Sequence, residues 1–255
     1  MNSLLTGMFE MCFPVWLRLY CEKLEEARTK NVLHEDDCHY DAIISLLSAS
    51  VLENEVNINK VLDKQLIPYI VKIMKSSSWE RKRYIPSLKL IARIANGKPE
   101  ASDQFIDSYV PSILLNQIKK SLTIYKKNNS LFEDHSPDSI GQQMTKYQTL
   151  ANEIIALGAL LNGAEKKRID IILDPVILDI INIMSHSKTD PILLTAVCKF
   201  ALDLFECDEL RYNKQFMQPY FSKMVNMKYL VPYMGGERYP DLLQMSERYH
   251  DAESE

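Results

Sequence analysis

The sequence predicts an all-α protein, a right-handed α-solenoid of about four stacked helical units followed by a C-terminal helical cap. Three observations lead there. Glycine is scarce, seven in 255 residues. Prolines recur at a near-regular interval, each ahead of an amphipathic run. Apolar residues recur at steps of three and four, and no stretch alternates with the period of two that marks a strand.

With 46% hydrophobic and 25% charged residues, the chain is expected to fold and bury a core. Gly7, Gly97, Gly141, Gly158 and Gly163 each stand alone, and neither GxGxxG nor GxxxxGK[ST] can be drawn. Folds that cradle a phosphate on glycine-rich turns are thereby set aside, and no cofactor is expected. The 34 acidic and 30 basic residues leave a net charge of −4, which gives no global attraction for nucleic acid or an anionic membrane. Cys12, Cys21, Cys38, Cys198 and Cys207 form no CxxC pair, and this odd set fits reduced thiols in the cytoplasm or nucleus.

The first twenty residues are apolar but carry Glu10 and Arg18, are broken by Pro14 and lack a basic leader, so they read as a core helix and not an anchor. Leu4, Leu5, Met8, Phe9, Met11 and Cys12 make this end too apolar for a terminal unit. Either 2–12 folds over it or a partner covers it.

Five prolines open the helices that follow: Pro14, Pro68, Pro111, Pro175 and Pro219, at separations of 54, 43, 64 and 44. Proline in the first turn removes an N–H that has no intrahelical partner anyway. A second set of marks is independent of proline. Apolar helices stop at Glu53, Asn96-Gly97, Asn162-Gly163 and Glu206-Cys207, the Asn-Gly pairs because both residues tolerate the left-handed C-cap conformation. The units are therefore 1–53, 54–97, 98–163 and 164–207, then a cap at 208–250 and an acidic tail at 251–255. The extra length of the third unit is assigned to a polar insert, 126–139, expected to leave the scaffold as a loop.

Within units the spacing is helical. Leu66, Tyr69, Ile70, Ile73 and Met74 share one face, as do Tyr84, Leu88, Ile91, Ala92 and Ala95. The fourth unit repeats the design with Ile177, Ile180, Ile181 and Met184, then Leu194, Val197, Cys198, Ala201, Leu204 and Phe205. Gly158 fits a tight helix crossing, and Gly7 has no assigned role.

The segment 67–97, IPYIVKIMKSSSWERKRYIPSLKLIARIANG, resembles an armadillo repeat: a Pro-led second helix, a Ser-rich turn, and a third helix ending in A-x-G. The likeness is clearest over 54–111 and returns over 164–219, within the length range of armadillo and HEAT units. It implies a stack with one continuous core and a groove for another protein. Armadillo proteins that hold extended peptides carry an asparagine at a repeated groove position; that frame places Ser50, Arg93, Ala159 and Asp203 there, and Leu46, Lys89, Ile155 and Lys199 one turn earlier. The asparagine ladder is absent, and Lys89, Arg93 and Lys199 would repel a basic peptide.

The expected site is therefore a groove with positive charge near its middle, made by Lys89 and Arg93 with Arg81, Lys82 and Arg83 ahead of them, and joined by Lys199 and Asp203. Its complement is an acidic protein segment or surface. Arg81, Lys82 and Arg83 read equally well as a solvated helix start. Trp79 is either a binding anchor or a cap on the next unit. Ser136, before Pro137, is a candidate phosphorylation site. His34, Cys38 and His39 with Asp36, Asp37 and Asp41 lack the second half of a metal cage, and a helix-capping acidic loop is the simpler reading. No catalytic constellation is found.

The function expected is a non-catalytic adaptor. A regulator of a partner's nucleotide cycle would look the same in sequence. Nucleic-acid binding along Arg81, Lys82, Arg83, Lys89, Arg93, Lys119, Lys120, Lys126, Lys127, Lys166, Lys167 and Arg168 is disfavoured by the acidic total and by the absence of a repeating base-reading set.

Overall fold

A computed structural model of the protein describes residues 7, 12–19, 22, 38–51, 55–76, 84–129, 137–163, 171–172, 174–183 and 190–205. Among them the regular structure is entirely helical, with no strand. After a helical run at 13–19 come α1 (Cys38–Ser50), α2 (Glu55–Asp63), α3 (Ile67–Ser76), α4 (Tyr84–Gly97), α5 (Pro99–Asp107), α6 (Val110–Asn129), α7 (Pro137–Gly163), α8 (Pro175–Asn182) and α9 (Pro191–Phe205).

Every proline among the described residues lies in the first turn of a helix: Pro14, Pro68, Pro86, Pro99, Pro111, Pro137, Pro175 and Pro191. Two of these starts use one further device. Asp174 Oδ1 accepts the Val176 N–H at 2.9 Å ahead of α8, and Asp190 Oδ1 accepts the Ile192 N–H at 2.9 Å ahead of α9. In both Asp-Pro pairs the acid covers an N–H that the helix leaves unmet.

Two helix ends fall at expected places, but not by the expected means; Glu53, Glu206 and Cys207 lie outside the described residues. α4 ends at Gly97 and α7 at Gly163, yet no described glycine has positive φ. The left-handed residues are Gln65 (φ 51°) and Tyr109 (φ 61°), in the short connections from α2 to α3 and from α5 to α6. At the first of these the Leu66 N–H reaches back to the Val61 carbonyl at 3.0 Å, a six-residue closure that requires the left-handed residue between.

The two described ends of the expected polar insert, 126–129 and 137–139, are helical, and 130–136 lie outside the described residues. Lys126–Asn129 complete the 20-residue α6, and 137–139 begin the 27-residue α7, with Gly141 inside it. The physical reason is the absence of a stop: no glycine or proline follows Pro111 until Pro137, and lysine is a good helix former. The corresponding helices of the shorter units have 10 residues in α3 and 14 in α4.

The chain gathers into two compact units, Met1–Ile113 with Gly163–Arg168, and Leu114–Asn162 with Ile169–Glu255. In the first, α4 is the hub and packs against α1, α2, α3 and α5. Leu88, Leu90, Ile91 and Ile94 are fully buried on it, as is Leu47 on α1. Each such side chain contributes roughly 1.5–3 kcal/mol relative to exposure. Phe13 and Leu17 are also fully buried, and Phe13 meets Trp16 edge to face, with ring centroids 6.0 Å apart.

In the second unit α7 lies between two partners. Towards α6, Tyr125 meets Tyr147 edge to face at 5.6 Å, and Ser121 Oγ donates to the buried Glu153 carboxylate at 3.1 Å, so these helices run antiparallel. Towards α9, Gly158 lies against Phe200 and Asp203.

Candidate functional site

The helices expected to close the four sequence units, α1, α4, α7 and α9, can be compared position by position. Leu46 is 45% exposed, Lys89 is exposed, and Ile155 and Lys199 are half-buried, whereas the position one turn later is closed: Ser50, Ala159 and Asp203 are buried and Arg93 is half-buried. Most other positions of α4, α7 and α9 are buried as well. In the first unit Leu46 of α1 and Lys89 of α4 are thus open to solvent, and in the second Ile155 of α7 and Lys199 of α9 are partly so.

Asp203 was expected among the polar groove residues. It is 3% exposed, and its Oδ2 lies 2.7 Å from where a Gly158 Cβ would stand. Glycine at 158 lets α7 approach α9 closely enough to enclose this carboxylate.

Arg93 has a definite structural partner. Its Nη1 donates to the Ser48 carbonyl and, at 2.9 Å, to the Ser48 hydroxyl. Ser48 lies in the last turn of α1, where carbonyls have no intrahelical donor and the helix dipole is negative, so a guanidinium suits it. Burial pulls the Arg93 pKa below its ordinary value. A second orphan carbonyl of α1, that of Ser50, accepts from Asn57 Nδ2 at 2.7 Å. The end of α4 repeats the arrangement, since Ser102 Oγ donates to the Ala95 carbonyl at 3.3 Å. In both cases a buried polar side chain seven residues ahead covers the end of the preceding helix.

Lys98 Nζ forms an ion pair with Glu55 Oε1 at 2.8 Å. The pair lowers the Glu55 pKa and raises that of Lys98. These residues are 43 positions apart, and Arg93 and Ser48 are 45 apart.

In the second unit, burial first, then Tyr125 and Asp190, raises the Tyr147 pKa. The Cys198 thiol is pushed up to about 12 by burial.

Sequence reasoning names Arg93 and Lys89 as groove residues but misses Ser48, Asn57, Ser102 and Glu153 as polar partners. For Ser48 a signal existed: it lies about one unit length before Arg93. Trp79, Arg81, Lys82, Arg83 and Ser136 lie outside the described residues, as do His34, Asp36 and Asp37, the cap at 208–250 and the tail. Among the described residues no His, Cys, Asp and Glu cluster is placed to hold a metal, and no helix is long and apolar enough to cross a membrane. No family model, curated protein or solved structure matches the chain.

Proposed function

We propose that the chain is an armadillo-like α-solenoid acting as a non-catalytic adaptor in the cytoplasm or nucleus, which presents the open positions of its third helices to another protein. One observation carries the architectural half: residues about one unit length apart lie against each other. Glu55 meets Lys98, Ser48 meets Arg93, and Gly158 meets Asp203, each pair 43 or 45 positions apart. Contacts at that separation are what stacking of corresponding positions in neighbouring units produces.

The adaptor half draws support from the exposure pattern. Lys89 is exposed and Lys199 half-buried, and neither is needed to close the core. Residues so placed are free to vary with a partner, whereas the buried Ser50, Ala159 and Asp203 are committed to packing.

The test uses the tagged chain and a Lys89→Glu/Lys199→Glu variant, each incubated with lysate of the source cell and compared by mass spectrometry. A protein retained by the wild type and lost from the variant, with unchanged thermal unfolding, is the expected result. Retention of nothing beyond a tag-only control, or of the same proteins by both, overturns the proposal.

A further inference from the structure

The Arg93 guanidinium is only partly used by the fold. Of its five N–H donors, those on Nη1 serve Ser48, and no acceptor among the described residues meets Nε or Nη2. Those two nitrogens form the side-on fork that a carboxylate takes with two parallel hydrogen bonds. The charge has given up part of its water, yet no carboxylate among the described residues pairs with it. Lys89, exposed one turn earlier on α4, has no ion pair among them either. Like charges at this spacing repel, so the pair is a local cost to α4 that an anion would relieve.

We infer that this face of α4 is a docking site for an acidic segment of a partner protein, one carboxylate gripped by the Arg93 fork and a second set against Lys89. The inference rests on the adaptor reading and gives its partner a chemistry. Ser48 contributes by fixing the guanidinium before the partner arrives, which reduces the entropy lost on binding. Two cations one turn apart fit an acidic peptide better than a phosphate backbone, which calls for a longer run of positive charge and meets a chain of net charge −4.

The probe is a fluorescein-labelled peptide of alternating glutamate pairs and leucine, with a glutamine-for-glutamate counterpart and a single-stranded mixed oligonucleotide, titrated by anisotropy at about 50 mM and about 300 mM salt. The glutamate peptide should bind, and weaken at the higher salt. Lys89→Glu should weaken it roughly tenfold, and Arg93→Lys, which keeps a charge but loses the fork, roughly fivefold. Equal binding of the glutamine peptide, indifference to both variants, or tighter binding of the oligonucleotide overturns the inference.

The two proposals fail separately. If Lys89→Glu and Arg93→Lys still retain from lysate a protein that Lys199→Glu loses, this site falls and the adaptor reading stands. If the wild type retains no protein while the peptide results hold, the adaptor reading falls.

Discussion

A methyl group placed on Gly158 would stand 2.7 Å from Asp203 Oδ2 and 3.1 Å from the Phe200 ring. Both neighbours belong to buried residues of α9, so neither can swing into water. Gly158→Ala should therefore destabilise the protein by about 1–3 kcal/mol in urea unfolding, despite alanine's helix preference of about 1 kcal/mol. In a double-mutant cycle, Asp203→Ala should recover part of that loss, because it removes the nearer obstacle. A neutral or stabilising Gly158→Ala would show that the crossing is looser than described.

Arg93→Met keeps the aliphatic stem and removes the donors that cover the Ser48 carbonyl. It should cost about 1–3 kcal/mol, whereas Lys89→Met, on the same helix but exposed, should stay within about 0.5 kcal/mol. Equal effects in denaturant titrations would remove the special role of Arg93 at the end of α1.

Gln65 and Tyr109 occupy left-handed backbone that costs an ordinary residue about 1–2 kcal/mol. Gln65→Gly and Tyr109→Gly should each raise stability by up to about 1 kcal/mol, net of the entropy glycine adds to the unfolded chain. Tyr109 is 71% exposed, so removing its ring sacrifices little burial. Valine at either position should instead destabilise, and thermal melts of the two series check the sign.

The Cys198 thiol, held at about 12 against an ordinary value of 9.0, remains protonated when an unfolded thiol would ionise. Between those values the unfolded state binds fewer protons, so the contribution is complete below pH 9.0 and is lost as pH rises towards about 12. Near pH 8, alkylation of Cys198 should follow the opening of the fold and speed up in denaturant in step with unfolding. Rapid labelling of the native protein would contradict its burial.

The ion pair of Glu55 with Lys98 gives a direct test of stacking. A zero-length carbodiimide should join these two side chains within one molecule, and peptide mapping should find the link. Its absence, with other lysine–carboxylate links present, would separate the ends of α2 and α4 that the pair holds together.

How much of this was legible in the sequence depended on how local the cause was. Proline acts on its own backbone, so Pro14, Pro68, Pro111 and Pro175 marked helix starts without reference to anything distant. The stops at Gly97 and Gly163 were placed correctly on a mistaken mechanism, and the left-handed corners at Gln65 and Tyr109 went unseen because neither residue type favours that conformation. Lys126–Asn129 looked like a loop because polarity was weighed above the missing stop signal.

For the site, the frame identified Lys89 and Arg93 but not the burial of Asp203, which depends on Gly158 in another helix. The bonds from Arg93 to Ser48 and from Asn57 to Ser50 need a neighbour's position, and one sequence carries that only through the unit length.

The placement of the prolines has a consequence for the chain before it folds. At eight points among the described residues, φ is already confined near its helical value by a covalent ring, and the peptide unit before the ring is turned away from helix. The denatured ensemble is thus divided in advance into the lengths that later become helices. Part of the disorder that folding must remove is absent from the start, and the boundaries survive even when every tertiary contact is gone.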